Sequence, residues 1–203
     1  MTEIATGPTG KLMRREVVKA LLENRDGMLA IGGLGAPAWD ITAAGDTPLN
    51  LPLWGGMGGA AVMGLGLALA QPERKVLVIT GDGEMLMGVG SLATVAVQRP
   101  RNLSIVVLDN EHYGETGMQE THTKHGVDLA AMAKGAGIAD TRLVRTAAEL
   151  LKLRADIHAG NGPIFAQVKI DEGTQPLVLP PREASILQAR MREAILGPDA
   201  HLQ

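Results

Sequence analysis

The sequence predicts an α/β fold, a three-layer α/β/α arrangement around a mostly parallel sheet. Two observations carry this. Residues 75–80 (KVLVIT) and 103–108 (LSIVVL) are short, β-branched, unalternating apolar runs, the pattern of strands buried on both faces of a parallel sheet. Helix-length segments separate the apolar runs, which implies right-handed strand–helix–strand units.

The elements follow in chain order. Residues 11–24 place Leu12, Val17, Val18, Leu21 and Leu22 at helical spacing. Residues 28–31 form a short apolar run that breaks into Gly32-Gly33-Leu34-Gly35. A short extended segment at 49–53 ends at Trp54 and the Gly55-Gly56 pair, and the helix after it stops at Pro72. The strand 75–80 breaks at Gly81-Asp82-Gly83, and residues 85–98 read as one helix. The strand 103–108 breaks at Asp109-Asn110. Helices are expected at 127–135 and 146–159, a last strand at 163–170, and an amphipathic helix at 182–196. Residues 1–172 are expected to form one domain, with 173–203 a linker and helical tail. The cluster Lys11, Arg14 and Arg15 reads as a solvated helix face.

Composition narrows the function. The chain has 203 residues, a formal charge of −3 and no cysteine. Disulfides, Cys-ligated zinc, iron–sulfur clusters and thiolate nucleophiles are therefore excluded. There is no basic stripe, and Trp39, Trp54, Tyr113 and Phe165 are the whole aromatic complement, so no nucleic-acid partner is expected. The most apolar stretch, residues 55–70, holds six glycines in sixteen residues. It falls short of the roughly 20 residues that span a bilayer, so no membrane partner is expected. With no secretory signal pattern near the N-terminus, a cytoplasmic location is expected.

Ligands of open parallel sheets bind at the carboxyl ends of the strands. Asp82 and Asn110 follow two strands joined by one crossover, which brings both to one sheet edge. A carboxylate, an amide oxygen and a backbone carbonyl suit Mg²⁺ holding phosphate oxygens. Gly81 and Gly83 let backbone approach a diphosphate, whose charge the next helix N-terminus favours. Neither GxGxxG nor GxxxxGK[ST] is present, so dinucleotide and P-loop readings lack their fingerprints.

The pattern Gly81-Asp82-Gly83-Glu84 followed by Leu108-Asp109-Asn110 resembles the GDG…N motif of thiamine-diphosphate enzymes. GGMGGA at 55–60, GDGEMLMGVGSLATVA at 81–96 and LDNEHYGETGMQETHT at 108–123 resemble the branch containing sulfopyruvate decarboxylase β subunits and phosphonopyruvate decarboxylases. The resemblance implies a thiamine-diphosphate-binding fold of the diphosphate-side (PP) type, with thiamine diphosphate and Mg²⁺ as cofactors. It implies Asp82, Asn110 and the His112 carbonyl as metal ligands. It places Gly81, Gly83 and Glu84 at the diphosphate turn, and Gly33, Leu34, Gly35 and Ala36 in a second phosphate-side loop. It also places Tyr113, Gly114 and Glu115 beside the metal loop. Met57 matches the apolar wedge that bends the cofactor, flanked by Gly55 and Gly56, with the Gly55 carbonyl accepting from the 4′-amino group. His122, in Thr-His-Thr, matches a residue for substrate contact or proton transfer; His125 is a weaker candidate.

The family's activating glutamate lies on a pyrimidine-binding domain that nothing here resembles. The resemblance therefore implies an α subunit carrying that domain and glutamate, in a hetero-oligomer of α2β2 type or larger that decarboxylates a small 2-oxo acid. The alternatives are a carboligase subunit of acyloin-forming or acetolactate-synthase type, and a non-catalytic regulatory subunit. A ferredoxin-linked oxidoreductase subunit is disfavoured by the absence of cysteine.

Overall fold

A computed structural model describes residues 4–201. Helix α1 (Arg14–Leu22) turns Val17, Val18, Leu21 and Leu22 inward. Strand β1 (Leu29–Gly32) leads into α2 (Ala36–Ala43), and β2 (Asn50–Pro52) into α3 (Ala60–Ala70). Strand β3 (Val76–Gly81) is followed by α4 (Asp82–Met87) and α5 (Ser91–Gln98), then β4 (Leu103–Asp109). A hairpin of β5 (His112–Tyr113) and β6 (Gln119–Glu120) precedes a 3-10 turn at His122–His125 and α6 (Leu129–Ala136). The chain closes with β7 (Asp140–Val144), α7 (Ala147–Ala159), β8 (Ile164–Lys169) and α8 (Ala184–Leu196).

Six strands pair in the order β2-β1-β3-β4-β8-β7, all parallel. The expected α/β/α layering is present. Leu77, Ile79, Val106 and Leu108 face a layer that includes α1 and α7, whereas Val76, Val78, Ile105 and Val107 face α3, α5 and α6. This division explains why 76–79 and 105–108 are continuous apolar runs within β3 and β4: alternate residues enter different cores. Every residue of β4 is buried.

Three features depart from the sequence reading. The helix expected over 85–98 is two helices, because Gly88, Val89 and Gly90 interrupt it. Its first part, α4, has six residues, so less dipole faces the Gly81–Gly83 turn than one long helix would supply. Helix α2, strand β7 and the β5–β6 hairpin were not anticipated. The Arg14–Arg15 pair is not a solvated face: both side chains meet the buried carboxylate of Asp40. The tail helix α8 forms as expected and buries Leu187 and Met191. Among the described residues no helix is long and apolar enough to cross a membrane.

Candidate functional site

Parallel pairing puts the carboxyl ends of β1, β3, β4 and β8 on one edge, where a cavity of about 450 Å³ opens. That is the size of a small-molecule site. Its walls come from the ends of β3 and β4, from the Leu34–Pro37 segment and Met57, from the turn after β4, and from the chain after β8.

The register Gly81↔Leu108 sets the start of α4 beside the end of β4. Asp82 is 2% exposed there. Its Oδ2 accepts the hydroxyls of Thr121 and, at 3.0 Å, Thr123. Burial pushes this carboxyl up to about 6 against the Thr121 hydrogen bond, and the neighbouring Asp109 adds to the rise. Asp109 is itself answered by Lys169 at 2.6 Å, by Gln167 at 2.6 Å and by Thr123 at 2.8 Å. Asn110 Oδ1 accepts the His112 amide at 3.1 Å, closing a tight turn. The His112 imidazole lies 3.4 Å from Glu172.

Among the described residues no three His, Asp or Glu side chains group to hold a metal ion. A cation at this edge therefore needs amide and backbone oxygens as well. Asp82, the Asn110 amide and a carbonyl at His112 are hard oxygen donors of the kind Mg²⁺ takes. Burial disfavours the charged form of the Asp82 carboxyl, and a cation beside it would favour that form. The donor set fits.

The loops around this edge are shaped by close approaches. Glu84 is buried, and its Oε2 accepts the Leu34 amide at 3.1 Å and the Thr80 hydroxyl at 2.8 Å. A Cβ at Gly33 would lie 1.9 Å from that oxygen, so only glycine lets Glu84 clamp the Leu34 loop. Burial raises the Glu84 carboxyl, and its second oxygen has no hydrogen bond. Gly83 is glycine for a different reason, since a Cβ there would sit 2.3 Å from the Tyr113 ring. A Cβ at Gly81 would meet open space, and this cavity-lining position leaves room for a ligand against the backbone.

Met57 lies on the cavity wall and is 40% exposed. The turn carrying it needs positive φ at Gly56 (70°) and Gly58 (86°). That turn rests on the chain after α4, where a Cβ at Gly88 would fall 2.1 Å from the Gly58 carbonyl oxygen.

The edge thus brings together Leu34, Ala36, Met57, Gly81, Asp82, Gly83, Glu84, Asn110, His112, Tyr113, Gly114 and Glu115. Gly33, Gly35, Gly55 and Gly56 lie in the loops that carry these residues. His122 is different: it is exposed and outside the cavity wall, while its neighbours Thr121 and Thr123 turn inward onto Asp82. His125 is also exposed, 3.2 Å from Glu120. Sequence reasoning missed Thr121, Thr123, Thr80, Arg14 and the stretch 171–177, all of which line or support the cavity. The two threonines had a signal, hydroxyls at alternate positions around a histidine; the stretch after β8 had none.

The description "Thiamine pyrophosphate enzyme, C-terminal TPP binding domain" matches residues 34–168. The chain is 36% identical to sulfopyruvate decarboxylase subunit beta of Methanothermobacter thermautotrophicus, over 92% of this chain and 97% of that one. It is 33% identical to phosphonopyruvate decarboxylase of Streptomyces hygroscopicus over 83% of this chain, yet spans only 42% of that protein. Among solved structures, benzoylformate decarboxylase from Polynucleobacter necessarius superposes with a TM-score of 0.70 at 22% identity. That alignment covers 87% of this chain and 36% of that one, which speaks for the fold.

Proposed function

The chain belongs to the thiamine pyrophosphate enzymes, and from that membership we propose a diphosphate-binding subunit of a two-chain 2-oxo acid decarboxylase of sulfopyruvate or phosphonopyruvate type. The observation that carries the reading is the pairing of Asp82 and Asn110 at the ends of adjacent strands, on a cavity that Met57 also walls. Thiamine diphosphate, when bound, supplies the electron sink that lets a 2-oxo acid lose CO₂.

The chain's own residues hold, shape and seal. Asp82 and Asn110, with the His112 carbonyl, are the Mg²⁺ ligands of this proposal. The open backbone at Gly81 and the clamped Leu34 loop take the diphosphate. Met57, large, apolar and poorly covered, is suited to press on a ring system. His122 enters as a residue for substrate contact or proton transfer, with its exposed side chain off the cavity wall that this chain forms.

Relatives of similar length are named as subunits, which supports a second chain. In this proposal that chain, an α subunit, supplies the pyrimidine-binding domain and the activating glutamate within a hetero-oligomer. The test is calorimetry of thiamine diphosphate binding with and without Mg²⁺, followed by turnover with the partner subunit. Asp82→Ala is expected to abolish Mg²⁺-dependent binding, and unchanged affinity refutes the metal assignment. Full decarboxylase turnover by the purified chain alone refutes the two-chain arrangement.

A further inference from the structure

The first turn of α1 carries Arg14 and Arg15 with no side-chain cap. Cations at a helix N-terminus oppose the macrodipole. Local rules broken in this way concentrate at functional sites. Both arginines meet one carboxylate, Asp40, which is fully buried. Arg15 Nε donates to Oδ1 at 3.0 Å and Arg15 Nη2 donates to the Pro176 carbonyl at 2.7 Å. Arg14 Nε lies 3.1 Å from Oδ2 without hydrogen-bond alignment. Two guanidinium groups thus share one buried carboxylate, and Arg14 is the one of the pair on the cavity wall.

Arg14 is the one Lys or Arg lining the cavity among the described residues. Its side chain is 12% exposed, and it makes no hydrogen bond to any described residue. An arginine that is mostly desolvated, ion-paired through Nε and unbonded at its two terminal nitrogens presents a two-pronged donor to whatever enters. The carboxylate that its charge also reaches, Glu115, lines the same cavity from an exposed loop packed against Gly35, and no hydrogen bond or ion pair joins it to Arg14.

We propose that Arg14 is the oxyanion-binding residue of this cavity, taking a phosphoryl, phosphonate or sulfonate group in a two-pronged contact. The assignment rests on the decarboxylase reading for its two sources, the end of the cofactor diphosphate and the anionic tail of a 2-oxo acid. A planar guanidinium matches either group better than an ammonium does.

The test titrates the chain, assembled with its partner, with two probes: inorganic pyrophosphate for the cofactor end and sulfoacetate for the substrate tail. Arg14→Gln is expected to weaken one of them about 10- to 100-fold, the range for losing a charged hydrogen-bonded contact. Arg14→Lys recovers part of the loss, since it keeps the charge but not the fork. Selective loss of pyrophosphate assigns Arg14 to the cofactor; selective loss of sulfoacetate assigns it to the substrate.

Removing Arg14 leaves Asp40 less compensated, so the double variant Arg14→Gln with Asp40→Asn is titrated as well, with circular dichroism as the fold control. Both affinities within twofold of wild type, in the single or the folded double variant, overturn the proposal. A wild-type assembly that binds neither probe overturns it too. If thiamine diphosphate fails to bind while pyrophosphate binding still depends on Arg14, the decarboxylase reading falls and the oxyanion site stands.

Discussion

Gly88→Ala isolates the contact on which the Met57 turn rests. Gly88 has φ −108° and ψ 18°, a conformation alanine tolerates, so the substitution acts through space and not backbone strain. The added Cβ would lie 2.1 Å from the Gly58 carbonyl oxygen and 2.8 Å from its carbon. Ordinary contact begins near 3.4 Å, so the turn must retreat by roughly 1 Å. Backbone meets backbone here, and no flexible side chain can yield. Overpacking of this kind costs about 1–3 kcal/mol, or about 2–12 °C in melting temperature at this chain length. A displacement of about 1 Å in a positioning element costs on the order of 10²-fold in rate. Turnover of the assembled enzyme and the thermal melt are the assays, with Gly90→Ala as control, since a Cβ at Gly90 meets nothing within 4 Å. If Gly88→Ala matches the control in both rate and melting temperature, the turn does not depend on this approach and the account of Met57 placement fails.

Further outcomes can be checked separately. Thr123→Val removes bonds to Asp82 at 3.0 Å and to Asp109 at 2.8 Å; it is expected to destabilise the chain by about 1–3 kcal/mol, read by urea unfolding, and to weaken Mg²⁺-dependent cofactor binding. Glu111 supplies an acid-sensitive element: burial opposes its ionisation, but hydrogen bonds from Lys169 and Lys11 outweigh it and hold the carboxyl at about 2. Because the folded value lies below the ordinary one, this stabilisation is complete above about pH 4.5 and is lost as pH falls toward 2. Melts at successive pH values should show Glu111→Gln losing less stability over that window than wild type, and parallel curves would contradict the linkage. Trp54→Phe removes the indole donor to the Pro181 carbonyl at 2.7 Å; faster amide exchange across 171–181 is expected, and unchanged protection would show that the segment is held elsewhere.

The sheet was legible because its central strands obey a simple rule. Residues 75–80 and 103–108 are buried on both faces, and a continuous β-branched run says so without context. Strand β7 was not legible, since Asp140, Thr141 and Arg142 are half-buried edge residues with the composition of a loop. Helix α2 hides its identity behind Gly35, Pro37 and a single turn of apolar residues. The Asp82–Asn110 pairing could be inferred from one crossover between two strands. The role of Arg14 could not, because its partner Asp40 is 26 positions away on a helix that was itself unrecognised. Pairings between side chains on different elements are fixed by tertiary packing, which sequence spacing does not encode. The threonines around His122 show the same limit. Spacing identified the segment, while burial decided that the hydroxyls and not the imidazole turn inward.

The cavity wall draws on residues from Arg14 to Leu177, contributed by both helical layers and the sheet edge between them. No local piece of the chain can hold that shape, so the pocket exists only when the long-range strand pairings are complete. A ligand that occupies it is therefore linked to global unfolding, not to the ordering of one loop. Its binding free energy is added to the stability of the entire domain as RT ln(1 + [L]/Kd). A melting curve of this chain is thus a binding assay for whatever the cavity accepts, and it needs no turnover to be read.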